Sequence, residues 1–293
     1  MDIAKEIIEQ IKNINSKMHI MCDWREDLIL AQAQASTQRY LSGNTLGDLD
    51  GVPIVFKDQI KIKGLTVRYG MPFPDCAPCE KDAAVVERIR KQGMTIVGLV
   101  NMHQAGPGGT IGTNPSKYHG DCRNPFNTDY YCGASSSGPG AAVAVGLVPC
   151  AIGSDGGGSV RIPSAFCGLI GLKPTAGRIP HRGYSATTNS VLGPMCNTMT
   201  DCLKLYSVLA GPDYNKESEI TQFQPKVTVP RSLAVSLKGT KIGVDYQWCD
   251  CVKENTIKMQ FWKMLNWLQD KGLNNLIYSS LYLQVGKLYG IRK

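Results

Sequence analysis

The chain has 293 residues, of which 43% are hydrophobic and 19% charged, so it is long and apolar enough to bury a sizeable core and too poor in charge for a disordered protein. Its net charge is +8, but the basic residues are scattered, and the densest stretch, Lys57 to Arg68, alternates Lys61 and Lys63 with Ile60 and Ile62 as a strand edge would. Nucleic acid, which calls for a focused basic stripe, is therefore not an expected partner; a mild attraction to anionic membrane surfaces is the other use open to that charge.

The first element, Ile3 to Ile20, sets Ile3, Ile7, Ile8, Ile11 and Ile14 at helical spacing. Both charge signs sit on its polar face, which favours packing on the domain over a membrane or partner contact. The same N-terminal stretch, MDIAKEIIEQIKNIN, lacks an apolar signal core. Together with eleven cysteines, an odd number at irregular spacing, this points to reduced thiols in an intracellular compartment. Gly51 to Ile62 is β-rich. Cys76 and Cys79 form a C-x-x-C with no second pair at zinc-ribbon spacing, so two loop cysteines are expected and no metal. Asp82 to Lys91 reads as a helix ended by Gly93, and Thr95 to Val100 as a short buried strand; helix followed by strand is compatible with an α/β layout.

Glycine density peaks between Gly106 and Gly177. In that region Ala141 to Gly146 reads as a buried helix, Val148 to Ile152 as a strand and Leu169 to Leu172 as another. The apolar run Ala141 to Ile152 is broken by Gly146 and Pro149 and is too short to span a bilayer, which takes about 20 residues. Thr200 to Ala210 is expected helical, Lys241 to Val244 extended, and Val252 to Lys271 helical.

Three stretches could carry chemistry. In GSDGGGSVRIPSAFCG, Gly153 to Gly168, three glycines precede Ser159, and Arg161 and Pro163 follow. Successive backbone N–H groups in such a loop can converge on an anion, and a serine there would sit beside a helix start. A plain glycine-rich turn is the alternative; the Walker pattern is absent, which weakens a phosphate loop. GASSSGPG, Gly133 to Gly140, places three serines against an apolar run; a helix cap by Ser136 or Ser137 explains it equally well. Lys57 ends the apolar run VPIVFK. A buried lysine loses its charge readily and can act as a base, although alone it reads as a solvated strand end. His19, His103, His119 and His181 are isolated. No G-x-S-x-G, H-E-x-x-H or G-x-G-x-x-G occurs, yet a Ser–His–Asp triad using His103 or His119 stays open.

Taken together these stretches resemble the amidase signature family. GASSSGPGAAVAVGLVPCAIGSDGGGSVRIPSAFCGLIGLKPTAGRIP, Gly133 to Pro180, is similar to that family's signature almost end to end. GVPIVFKDQI is similar to the strand bearing its lysine, and Ser135 and Ser159 stand 24 residues apart, as the family's two serines do. ASTQRY (Ala35 to Tyr40), LDGVPI (Leu49 to Ile54), NMHQAG (Asn101 to Gly106) and the GASSSGP loop resemble the fatty-acid-amide hydrolase branch in its plant and lower-eukaryote form.

The resemblance implies an α/β fold with a mixed, twisted sheet flanked by helices on both faces. It implies a domain order of an N-terminal amphipathic helix (1–24), an amidase signature domain (25–272) and an atypical tail (273–293). It also implies amide hydrolysis without metal or organic cofactor. Lys57 falls on the general base, Ser135 on the bridging serine with its cis peptide bond, Ser159 on the nucleophile and Ser136 on the supporting serine. Gly156, Gly157, Gly158 and Ser159 fall on the oxyanion-hole backbone, and Asp155 and Arg161 on scaffold positions. The expected substrate is a small acyl amide, such as a fatty-acid amide. Peripheral membrane contact and a homodimer are left open, as is a location in the cytoplasm or on a membrane surface.

Two departures stand out. Ala134 replaces a glycine usual in the serine loop, and the family pattern stops near Gly272, so the fold is expected to be incomplete at the C-terminus. The rival readings are an inactive remnant that at most binds a partner, and the amidase-like subunit of a tRNA amidotransferase.

Overall fold

The computed structural model describes residues 1–72, 76–104, 116, 118–184, 190–214 and 237–273, and the backbone of 275–279. Its contacts divide the chain into two units, Met1–Val229 and Pro230–Lys293.

The first unit opens with α1 (Asp2–Met18), β1 (Met21–Asp23), α2 (Glu26–Leu41) and β2 (Pro53–Lys57). Then come α3 (Ala84–Lys91), β3 (Thr95–Val100), the hairpin β4 (Arg123–Asn124) and β5 (Asn127–Tyr131), α4 (Ser137–Ala144) and β6 (Cys150–Asp155). It continues through α5 (Arg161–Phe166), β7 (Ile170–Gly171), β8 (Val191–Cys196) and α6 (Met199–Leu209). Six strands form one mixed sheet in the order β1-β3-β2-β6-β8-β7. The central β3, β2 and β6 are parallel, while β1, β8 and β7 join antiparallel.

The sheet is buried on both sides, as its nearly uninterrupted apolar strands require. Strand periodicity sorts the side chains: Val55 joins one core cluster, with α1, α2 and α4, while Ile54 and Phe56 join the other, with α3 and α6. The first cluster takes in Ala4, Ile7, Ile8 and Ile11, so the apolar face of α1 is spent on the domain's own core. The mixed sheet with helices on both faces matches the expected architecture.

Several boundaries differ from the sequence reading. The helix α4 begins at Ser137 rather than Ala141, because its first turn, Ser-Gly-Pro-Gly, is small enough to lie against the chain leaving β3. A Cβ at Gly138 would fall 2.4 Å from the Asn101 nitrogen, and the Gly138 N–H donates to the Asn101 carbonyl at 2.8 Å. The strand β6 runs on through Ser154 and Asp155, because its ladder with β8 holds those polar residues extended opposite Leu192 and Val191. Sequence reasoning missed α2, whose Ala/Gln-rich middle buries only Ile29, Ala33 and Ser36. It also missed β8, where Gly193 and Pro194 interrupt the strand signal; proline fits because only the two-residue β7 borders it on the outer side.

In the second unit β9 (Lys241–Asp245) leads into α7 (Tyr246–Asp250), followed by α8 (Asn255–Asp270) and β10 (Asn275–Ser279). Strands β9 and β10 pair in parallel. Of the tail, residues 280–293 lie outside the described residues, as do Ala105 and Gly106 of NMHQAG.

Candidate active site

The site forms where the parallel strands β2 and β6 end side by side. Lys57 is the last residue of β2 and is fully buried. Its Nζ lies 2.6 Å from Ser135 Oγ and 2.9 Å from Ser154 Oγ. Burial pushes the Lys57 amine down to about 7, against a smaller upward pull from the Asp155 carboxylate. An amine that is partly neutral at physiological pH, in contact with a hydroxyl, can accept a proton from it.

Ser135 precedes α4 in a loop held at several points. The Ala134–Ser135 peptide bond is cis. The Ser135 carbonyl accepts the His103 N–H at 3.1 Å, and the Ser136 N–H donates to the Ser159 carbonyl at 3.2 Å. That last bond ties the serine loop to the glycine-rich loop. Ser136 holds the N-cap position of α4, yet its hydroxyl makes no cap bond. It bridges instead to β6, donating to the Ser154 carbonyl at 3.2 Å and accepting the Ser154 N–H at 3.3 Å.

The glycine-rich loop winds around one carboxylate. Asp155 accepts the N–H of Gly158 at 2.6 Å, of Val160 at 3.1 Å and of Arg161 at 3.3 Å, and the Arg161 side chain at 3.0 and 3.1 Å. Burial raises the Asp155 carboxyl, but Arg161 and the three N–H groups together outweigh it and hold the carboxyl below its usual range. Ser159, half-buried, stands at the end of this loop just before α5. Of the loop N–H groups expected as oxyanion donors, that of Gly158 is already given to Asp155 in this conformation.

Sequence reasoning missed Ser154, which touches Lys57 directly. A hydroxyl near the end of the strand beside Lys57 was the available signal for Ser154. The histidine alternatives gain nothing: the buried Nδ1 of His103 and Nε2 of His119 have no hydrogen-bond partner among the described residues.

The described residues hold one group with metal-ligand atoms close together, Cys22, Asp58 and His119, within 4.8 Å of one another. Both Asp58 oxygens already accept backbone N–H groups, from Arg68 and Gly70, each at 2.9 Å. Cys76 and Cys79 are half-buried free thiols.

The family model described as Amidase matches residues 2–283. A fatty acid amide hydrolase of rice, Oryza sativa, is 38% identical over 265 residues, covering 87% of this chain and 43% of that protein. A glutamyl-tRNA(Gln) amidotransferase subunit of Coxiella burnetii is 35% identical over 249 residues, covering 84% of this chain and 50% of the relative. The crystal structure of the corresponding Thermotoga maritima protein superposes with a TM-score of 0.78 at 26% identity, over 94% of this chain and 57% of that one. The chain thus spans about half the length of the relatives it matches. A family match over nearly the whole chain, carried on a sheet that brings the lysine strand and both serine loops together, makes this protein a member of the amidase family.

Proposed function

We propose that the chain is a serine hydrolase that cleaves carboxylic amides through Lys57, Ser135 and Ser159, with N-acyl amides of fatty-acid type as substrates. The observation that carries this reading is the buried Lys57 amine 2.6 Å from Ser135 Oγ, with its pKa near 7.

In this mechanism the neutral Lys57 amine takes the Ser135 proton as Ser135 takes that of Ser159. The Ser159 oxygen then adds to the amide carbonyl, and the N–H groups of Gly156, Gly157 and Ser159 receive the oxyanion. The same relay returns the proton to the departing nitrogen, which leaves as an amine, and water releases the acyl group as a carboxylic acid. Ser136 and Asp155 hold the two loops in place, and Arg161 braces Asp155. The chemistry uses side chains and backbone alone. The acyl preference is drawn from the rice relative's name and from the ASTQRY, LDGVPI and GASSSGP stretches.

The test is labelling with a fluorophosphonate probe, with Ser159→Ala as control. Labelling lost in the variant supports the reading. A folded chain that does not label counts against it and favours a non-catalytic remnant.

A second reading, an amidotransferase component like the Coxiella relative, draws on the 35% identity with that protein. It would be preferred if the labelled chain hydrolysed glutamine amide and ignored acyl amides.

A further inference from the structure

We infer that Cys22, Asp58 and His119 form a binding site for a zinc-type divalent cation at the end of the sheet where β1 and β2 flank β3. The inference is independent of the proposed hydrolysis, which uses none of these three residues.

The fold brings the three together from far apart in the sequence. Cys22 is the middle residue of β1, and Asp58 directly follows β2. The end of β3 lies between them: Val100 pairs with Met21 on one side, and its carbonyl accepts the Asp58 N–H at 3.0 Å on the other. His119 precedes Gly120, whose carbonyl accepts Asn101 Nδ2 at 3.0 Å just past the end of β3. One ligand atom from each residue, a sulfur, a carboxylate oxygen and a ring nitrogen, lies within 4.8 Å of the other two. Tetrahedral zinc, with bonds of about 2.0–2.3 Å, sets its ligand atoms roughly 3.3–3.8 Å apart. The three therefore need to close by at most about 1.5 Å, which side-chain rotation of the half-buried Cys22 and His119 can supply.

The backbone behind these side chains is tied into one network. The two Asp58 oxygens accept the N–H groups of Arg68 and Gly70, each at 2.9 Å. The Gly70 carbonyl accepts the Ser116 hydroxyl at 3.1 Å, and Ser116 Oγ accepts the His119 N–H at 3.1 Å. Asn15 holds Met21, next to Cys22, accepting its N–H at 2.7 Å and donating to its carbonyl at 3.2 Å. Contacts of this kind orient the ligands of metal sites.

Each side chain has electron pairs to give. Two N–H donors leave about two of the four lone-pair positions of the Asp58 carboxylate. The Nε2 of His119 is buried with no hydrogen-bond partner among the described residues, a costly state for a ring nitrogen. Cys22 is a half-buried free thiol. A mixed sulfur, nitrogen and oxygen set suits zinc and not calcium or magnesium, which take oxygen ligands. On binding, the Cys22 S–H bond breaks, the sulfur keeps the electron pair and bonds the cation, and the proton leaves to solvent. Thiolate and carboxylate then balance the two positive charges, with the imidazole neutral. The ion thus brings no net charge toward the Arg68 guanidinium, which lies over the Tyr118 ring at 5.5 Å. A solvent molecule completes the tetrahedron.

The experiment takes the full chain, reduced and stripped of metal by chelation, and titrates it with Zn2+ by calorimetry and with Co2+ by absorption. Expected are one equivalent of each ion and a cobalt spectrum with tetrahedral d–d bands and a thiolate-to-cobalt charge-transfer band of one-thiolate intensity. Cys22→Ser and His119→Ala should each weaken Zn2+ binding by about 100-fold or more, and Cys22→Ser should erase the charge-transfer band. The Cys76→Ser/Cys79→Ser double variant, which removes the C-x-x-C thiols, should change neither. A wild type that takes up no equivalent of Zn2+ overturns the inference. So does binding that survives Cys22→Ser or His119→Ala, or binding lost in the double variant. Should Cys22→Ser fail to fold, the wild-type cobalt spectrum decides: one-thiolate intensity supports the site, and a spectrum with no thiolate band, or with the intensity of two, overturns it.

Discussion

Arg161 grips Asp155 with two parallel bonds, Nε to Oδ2 at 3.0 Å and Nη2 to Oδ1 at 3.1 Å, across the same carboxylate that gathers the N–H groups of Gly158 and Val160. The Asp155 side chain is fully buried, while Arg161 is about half exposed at 53%. The carboxylate is therefore the fixed post and the guanidinium a brace against it. Asp155→Asn would turn one acceptor oxygen into a donor facing other donors, and we expect it to destabilise the first unit by about 2–4 kcal/mol. Arg161→Ala, which removes only the exposed partner, should cost about 1 kcal/mol. Denaturant melts of the two variants check the ranking, and equal losses would show that the brace matters as much as the post. Because the folded Asp155 pKa lies below its unfolded value, its contribution is present above the unfolded value, about 4, and is lost as the pH falls through the lower folded one.

The lysine is a cost rather than a contribution, with the same direction of pH dependence. Its folded pKa, about 7, lies below the unfolded value of 10.5, so between those values the unfolded chain binds the extra proton and stability rises with pH. Below about pH 7 the penalty has its full size, of the order of a few kcal/mol. Lys57→Met removes that penalty and leaves the Ser135 and Ser154 hydroxyls without their partner, which costs about 1–3 kcal/mol. We expect a variant no less stable than wild type at pH 6, with its advantage shrinking by pH 9, and with hydrolysis lowered by about 100-fold or more. Thermal melts at the two pH values, read beside the activity, decide it; a variant that melts well below wild type at pH 6 would refute the burial penalty.

Gly133 supplies the third test. It has φ 89°, and a Cβ added there would lie 2.5 Å from Pro163 Cα. Backbone contact leaves no flexible side chain to move aside, so Gly133→Ala must push the serine loop away from α5. Expected are a loss of about 2 kcal/mol or more in stability and slower probe labelling. Wild-type labelling in the substituted protein would show that Ser135 tolerates the shift.

How far these features were legible in the sequence depends on their range. The two serine loops stood out because a long, unusual string of small residues makes them up, and a resemblance of that length carries the fold with it and picks out Lys57, which alone reads as a strand end. The helix α1 was readable from five isoleucines at one spacing. The strand β8 was not, because its glycine and proline read as a loop and only the ladder to β6 makes it extended. Ser154 was missed for the same reason. It is an ordinary residue in its own stretch and becomes part of the site only through Lys57, far along the chain. Gly158 shows the converse: its position in the loop marked it as an oxyanion donor, but the Asp155 carboxylate takes its N–H.

The two serines flanking the proposed relay should separate in one experiment. In the proposed reaction the Ser159 oxygen bonds to the acyl group, so Ser159→Ala should remove the site of labelling altogether. In the same proposal Ser135 passes a proton and forms no bond to substrate, so Ser135→Ala should keep a nucleophile but cut it off from the Lys57 amine. Labelling of Ser135→Ala should persist, slowed by about 100- to 10,000-fold, the usual worth of a positioned acid–base group. Mass spectrometry of the labelled peptide then places the adduct on Ser159 in both wild type and Ser135→Ala. An adduct on Ser135, or labelling retained by Ser159→Ala, would exchange the two roles; a Ser135→Ala rate equal to wild type would remove Ser135 from the relay, whatever its distance from Lys57.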